Sequence, residues 1–148
     1  MITIYADGSC IGNPGPGGWA FLVLPNGSRT PNFSKNGGVS FTTNNQMELM
    51  AAIKALEYIK QQNVEEKVTL RTDSQYVKNG ISSLIKSWKQ KNWITSKNTE
   101  VRNKELWEQL DALNDSMDVT WEWVKGHSLD VFNNAVDRLA KTGITTLK

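Results

Sequence analysis

The amino-acid sequence predicts one α/β domain, a mixed five-stranded sheet of three antiparallel and then two parallel strands, with helices packed on it. Three observations carry that expectation. Strand-like runs succeed one another before any helical signal, which makes an antiparallel meander. A capped amphipathic helix then leads into a further apolar strand, the pattern of a parallel crossover. Finally, the 148 residues are 39% hydrophobic, with six Trp, four Phe and three Tyr, enough to build one core and too apolar for disorder.

The elements follow in order. Residues 2–6 are rich in β-formers and stop at Asp7-Gly8, a turn signal. Residues 13–18 contain two prolines and three glycines and are expected to be irregular. Residues 19–24 form an apolar run of strand length closed by Pro25-Asn26-Gly27, and residues 28–41 supply the third strand. Thr43 with Gln46 matches a capping box, after which Leu49, Ala52, Ile53, Leu56 and Ile59 lie on one helical stripe. Residues 68–72 read as the fourth strand, and Asp73-Ser74 can cap a short helix ending at Asn79-Gly80. Residues 81–90 look helical, with Ile81, Leu84 and Trp88 on one stripe; residues 92–103 loop out, and residues 105–113 return to helical spacing. Val119, Trp121 and Trp123 alternate as one face of a last strand, and residues 134–141 form a last helix.

Composition narrows the function classes. Cys10 is the single cysteine, so an intramolecular disulfide and a Cys-rich zinc site are excluded. No apolar run reaches a membrane span, and no basic region precedes the N-terminal apolar stretch, so a cytoplasmic protein without membrane contact is expected. With no obvious association stripe, a monomer is the default. The net charge of +2 conceals an asymmetry: the segment from Lys86 to Lys104 is +5 and the remainder −3. A basic stretch in an acidic remainder suits a polyanion-facing surface, and equally a solvated helix face.

Four acids stand where elements begin or end. Asp7 closes the first strand, Glu48 falls in the first turn of the long helix, Asp73 closes the fourth strand, and Asp137 lies one turn into the last helix. If the first and fourth strands are neighbours, Asp7 and Asp73 share a rim where ligands of open α/β sheets bind. Each acid alone has a plain reading. Asp7-Gly8 can be a hairpin turn, Glu48 can serve a helix N-terminus, Asp73 can cap a helix, and Asp137 can pair with Lys141. Together, they would repel one another unless cations sat among them. An oxygen-only ligand set selects hard cations, so Mg²⁺ is expected, with Mn²⁺ able to substitute. Two such ions roughly 4 Å apart serve in-line displacement at a phosphodiester. A metal-dependent nuclease is the chemistry these residues point to.

At this point the chain resembles the type 1 ribonucleases H of bacteria. The stretches that carry the resemblance are Tyr5-Ala-Asp-Gly-Ser-Cys-Ile-Gly-Asn-Pro-Gly-Pro-Gly-Gly18, Thr42-Thr-Asn-Asn-Gln-Met-Glu-Leu-Met-Ala-Ala-Ile53, Thr72-Asp-Ser-Gln-Tyr-Val77, Trp121-Glu-Trp-Val-Lys-Gly-His127, and Asn133 through Asp137 to Ala140. They run nearly end to end and in order. The resemblance implies an RNase H-like fold over residues 1–148 and cleavage of the RNA strand of RNA–DNA hybrids, leaving 3′-hydroxyl and 5′-phosphate ends. It implies that Asp7, Glu48, Asp73 and Asp137 hold two metal ions with substrate bound, and that His127 moves protons or helps product leave.

Cutting RNA but not DNA requires sensing the 2′-hydroxyl with short polar groups. Ser9, Cys10, Asn13, Thr43, Asn44, Asn45, Ser74 and Gln75 stand beside the carboxylates in sequence and suit that task, with Asn133 a further substrate contact; turn-forming and capping polarity is part of their role too. Residues 86–104 resemble the family's basic handle, with Lys86, Lys89 and Lys91 on phosphates and Trp88 either gripping the hybrid or packing in the core. The chain departs from the family at Phe41, where a basic residue is common, at Leu84, where an aromatic is common, and at Gln90 and Asn92 in the handle. Two other readings stay open: a DNA nuclease of the same fold, which the polar cluster disfavours, and a non-catalytic hybrid-binding module, which the full set of acids disfavours.

Overall fold

The computed structural model describes residues 1–63, 65–126 and 130–147. Five strands form one sheet: β1 (Ile2–Cys10), β2 (Gly15–Leu24), β3 (Phe33–Thr42), β4 (Val68–Thr72) and β5 (Val119–Trp123), in the order β3-β2-β1-β4-β5. β1 to β3 are antiparallel, and β1, β4 and β5 are parallel, as the sequence predicts. The helices are α1 (Asn44–Gln61), α2 (Gln75–Asn79), α3 (Ile85–Gln90), α4 (Lys104–Asp115) and α5 (Val131–Thr145), with a π-helical turn at Gly80–Leu84 between α2 and α3. No helix among the described residues is long and apolar enough to cross a membrane.

The sheet separates two apolar clusters. On one face Ile4, Phe21 and Leu70 pack with Leu49, Ala52, Leu56 and Ile59 of α1 and with Trp107 and Leu110 of α4. On the other, Tyr5, Ala20, Leu22 and Leu24 pack with Val136 and Ala140 of α5. Thr43 caps α1 as expected: its hydroxyl accepts from Gln46 N–H, and the Gln46 amide oxygen accepts from Thr43 N–H.

Several boundaries differ from expectation, each for a tertiary reason. β1 does not turn at Asp7-Gly8 but pairs on with β2 as far as Cys10 opposite Gly17, and β2 begins inside the proline–glycine stretch. Pro16 is tolerated in this inner strand because the β2–β3 register shifts between Gly15 and Gly17, a bulge that relieves its missing N–H. β3 starts at Phe33 rather than residue 28. The π-turn inserts a residue into the second helical segment, so Leu84 faces out at 46% exposure and Ile85 takes its place in the core. α5 extends past both expected ends: Asp130 caps it, and Gly143 lies within it, where the missing side chain lets the helix pack against the backbone of Gly37.

Candidate active site

Parallel pairing of β1 and β4 ends at Ala6 opposite Thr72, so Asp7 and Asp73 are the next residues of adjacent strands. Glu48 joins them from α1. It lies one residue beyond the first helical turn, not within it, since the helix begins at Asn44. Its approach depends on Gly8, whose missing side chain leaves room for the backbone of Met47 and Glu48. The Gly8 N–H donates to both Asp7 Oδ1 and Glu48 Oε1. One carboxylate oxygen from each of Asp7, Glu48 and Asp73 lies within 4.8 Å of the others.

Asp7 and Glu48 are buried, 3% and 5% exposed, and Asp7 Oδ2 and Glu48 Oε2 have no hydrogen-bond partner among the described residues. Two buried acceptors aimed at a third carboxylate are unstable unless a proton or a cation joins them. Burial, then the charge of Glu48 and then that of Asp73, push Asp7 up to about 12. Burial raises Glu48 to about 7, although the Gly8 N–H favours its charged form.

This produces a testable pH dependence. An acid whose folded-state pKa is raised keeps its proton longer than the unfolded chain does, so rising pH favours unfolding. The cost starts above the ordinary carboxyl value and grows through about 7 for Glu48 toward about 12 for Asp7. Thermal melts in EDTA are expected to give a lower Tm at about pH 8 than at about pH 5. Mg²⁺ should reduce the gap, and Asp7→Asn should flatten it. Identical melting at both pH values, with and without metal, would contradict the shared site.

The triad opens into a cleft of about 450 Å³ whose rim carries Ser9, Asn44, Asn45, Ser74 and Gln75, all expected from the sequence. Asp137 lines the same cleft but is not part of the triad; Lys141 Nζ holds its Oδ2 at 3.1 Å. All four acids thus line one cleft, but only Asp7, Glu48 and Asp73 lie within 4.8 Å of one another, and Asp137 makes the Lys141 pair that the sequence also allows. Asp73 does not cap α2, because Ser74 does. Instead, the Asp73 carbonyl accepts from Trp123 Nε1 at 3.0 Å, and a Cβ at Gly126 would stand 3.1 Å from its Oδ2, so β5 and the segment after it brace this acid.

Other expected contacts fall elsewhere. Asn13 and Thr43 line an adjoining cleft of about 480 Å³ together with Asn45, Gln46, Arg102 and Asn103. Cys10 Sγ is directed to the carbonyls of Thr42 and Gly15. Asn133 is buried on α5 with its Oδ1 unpartnered among the described residues, outside the lining of either cleft. Trp88 packs between Trp93 and Trp107, its ring 5.9 and 5.2 Å from theirs, which is the core alternative. Lys89 is tied to Asp111 of α4 at 2.9 Å, while Lys86 and Lys91 are exposed. Phe41 is 74% exposed near the end of β3. His127 lies outside the described residues. Sequence reasoning missed Tyr76 and Lys141 on the cleft wall; Lys141, four residues after Asp137, was legible as its partner but not as a lining group.

The sheet order, with an oxygen-only acidic cluster at the rim between its two central strands, defines an RNase H-like α/β protein with a candidate divalent-cation centre. The RNase H family model matches residues 1–145, and the chain belongs to that family. It is 49% identical over 146 residues to a ribonuclease H of Legionella pneumophila, covering 99% of this chain and 98% of the relative. It is 45% identical over 150 residues to that of Treponema denticola, covering 94% of each. Among solved structures, LC9-RNase H1, a type 1 RNase H with the type 2 active-site motif, superposes with a TM-score of 0.86 at 30% identity, over 97% of this chain and 72% of that one. LC11-RNase H1 in complex with RNA/DNA hybrid shares the fold at a TM-score of 0.73 and 23% identity, over 98% and 97% of the two chains. The family is generally dependent on divalent metal, and the acidic triad fits that dependence.

Proposed function

We propose that the protein is an endoribonuclease that hydrolyses the RNA strand of RNA–DNA hybrids. The observation that carries the reading is the triad, three acids with one oxygen each within 4.8 Å of the others at an open polar cleft, two of which also bury an unpartnered oxygen. Asp7, Glu48 and Asp73 would hold Mg²⁺, or Mn²⁺ in its place, with Asp137 joining from α5 when substrate brings a second ion. When bound, the two ions supply Lewis-acid activation of water and neutralise charge on the leaving oxygen. In the reaction, water adds to phosphorus and the bond to the 3′-oxygen breaks, leaving a 3′-hydroxyl and a 5′-phosphate.

The chain's own residues do the remaining work. The Gly8 N–H orients Asp7 and Glu48 so that one oxygen of each faces the cleft. Asn44, Asn45, Ser74 and Gln75 on the rim, with Ser9, offer short polar groups to the 2′-hydroxyl, which makes RNA the strand that fits. His127 would carry a proton or assist product release, the role the family resemblance implies for it. Lys86 and Lys91 contact phosphates without reading sequence; Lys89 contributes less, since Asp111 already neutralises it. The Thr43 hydroxyl caps α1 and Asn13 Oδ1 accepts from the Asn44 N–H, so both hold Asn44 and Asn45 at the rim, and the Cys10 thiol is directed to the carbonyls of Thr42 and Gly15 beside them. The enzyme works as a cytoplasmic monomer.

The test is cleavage of end-labelled hybrid, duplex DNA, duplex RNA and single-stranded RNA, with Mg²⁺, Mn²⁺ or EDTA. Only the RNA strand of the hybrid should be cut, and EDTA should abolish cutting. Cleavage of duplex DNA, or undiminished activity in EDTA, would overturn the reading.

A further inference from the structure

One row of side chains beneath the acids has no part in the chemistry above. Tyr5, Arg71 and Glu122 are cross-strand neighbours on β1, β4 and β5, Tyr5 in register with Arg71 and Arg71 with Glu122. Arg71 Nε donates to Glu122 Oε1 at 2.8 Å, and its Nη1 donates to the Tyr5 hydroxyl at 2.8 Å, with the guanidinium 5.5 Å from the Tyr5 ring centre. The Tyr5 hydroxyl in turn donates to Asp130 Oδ2 at 2.9 Å. The other oxygen of that carboxylate, Oδ1, accepts the N–H groups of Phe132 and Asn133 and caps α5. A single carboxylate thus joins the sheet to the start of the helix that carries Asp137.

The placement gives this row a purpose. Side chains two residues apart on a strand share a face. Tyr5 therefore lies one step below Asp7 on the same face of β1, at about 6.6 Å along the strand, with Arg71 beside it on β4. Asp130 is the N-cap of α5, and Asp137 follows it by seven residues, about two turns into the helix. A link that holds Asp130 against β1 thereby sets both the height and the rotation of Asp137 relative to Asp7. Val136 and Ala140, which flank Asp137 on α5, belong to the same apolar cluster as the Tyr5 ring.

We propose that Tyr5, held by Arg71, is a positioning residue for Asp137: its hydroxyl fixes the N-terminus of α5 on the sheet and so places the fourth carboxylate at the cleft. Tyr5→Phe keeps the buried ring and removes the hydroxyl with its two hydrogen bonds, the one to Asp130 and the one from Arg71. The inference rests on the proposed nuclease function, so it is read in two independent ways.

Without metal or substrate, amide hydrogen exchange in the first turns of α5 should speed up about tenfold in Tyr5→Phe, with α1 and α4 unchanged. On hybrid substrate, kcat should fall by roughly ten- to a hundredfold with KM within about twofold of wild type. Asp130→Ser, which still caps α5 but is too short to reach Tyr5, should reproduce both effects, and the double variant should be no worse than either single one. It also carries the test alone if Tyr5→Phe does not fold. As a control, Ile59→Val weakens the core on the opposite face and should leave kcat unchanged below its melting temperature. Unchanged α5 exchange, an effect on KM alone, or additive losses in the double variant would each overturn the proposal. A wild-type protein that fails to cut the hybrid would sink the proposed function instead, leaving the exchange arm to judge the link itself.

Discussion

Asp73→Asn is expected to lower kcat on RNA–DNA hybrid by about 10³-fold while the protein stays folded. The reason is chemical rather than steric. Asparagine has the same shape but lacks the charge that, together with Asp7 and Glu48, makes the site a cation trap. Electrostatic stabilisation supplied through such a ligand is worth several kcal/mol at the transition state, and each 1.4 kcal/mol or so is a factor of about ten in rate. Stability should hold or rise slightly, because the Asp73 charge is among the causes that raise both Asp7 and Glu48. Helix α2 does not suffer either, since Ser74 supplies its cap. Single-turnover cleavage and a thermal melt in EDTA measure the two halves. Near-normal turnover would reduce Asp73 to a residue that merely ends a strand.

Gly8→Ala is expected to cost both stability and activity, and by more than a surface change could. A Cβ at position 8 would collide with the backbone of Met47 and Glu48, neither of which is the free end of a flexible side chain. Forcing a methyl into a packed interior costs about 3 kcal/mol or somewhat less. Losing the Gly8 N–H to Glu48 hydrogen bond, made to a group that ionises, adds about 2 kcal/mol. A total near 5 kcal/mol is a large share of the ~5–15 kcal/mol typical of a domain, and should lower Tm by roughly 15 °C. Whatever fraction folds should cleave poorly, because α1 must retreat and take Glu48 out of reach of Asp7. Wild-type melting with lost cleavage, or the reverse, would show that α1 packing and the site are not coupled through this glycine.

Much of this was legible along the chain. The capping box at Thr43 and Gln46 is a local pattern, and it forms as written. The acids at the ends of the first and fourth strands, and the crossover helix between them, were enough to put Asp7 beside Asp73. The roles of particular neighbours were harder to see. Asp7-Gly8 carries a turn signal, yet it continues a strand, because Gly8 serves the approach of α1 rather than a reversal of the chain. Trp88 and Lys89 sit in a basic, aromatic segment that reads as a nucleic-acid grip. Packing commits Trp88 to Trp93 and Trp107, and Lys89 to Asp111. Leu84 looked like a core position until a π-turn rotated it out.

By itself, the sequence determined the class of molecule: the order of elements, the acidic ligand chemistry and the family motifs are all written in local patterns of residue type and spacing. How Asp137 stands to the other three acids, and what holds it there, was decided by the tertiary structure. Asp137 shares the cleft yet pairs with Lys141, and Tyr5 reaches Asp130 across 125 residues of chain. Such contacts depend on how helices lie on a twisted sheet to within an ångström or so. That placement comes from the summed packing of both faces, which no short stretch of sequence encodes.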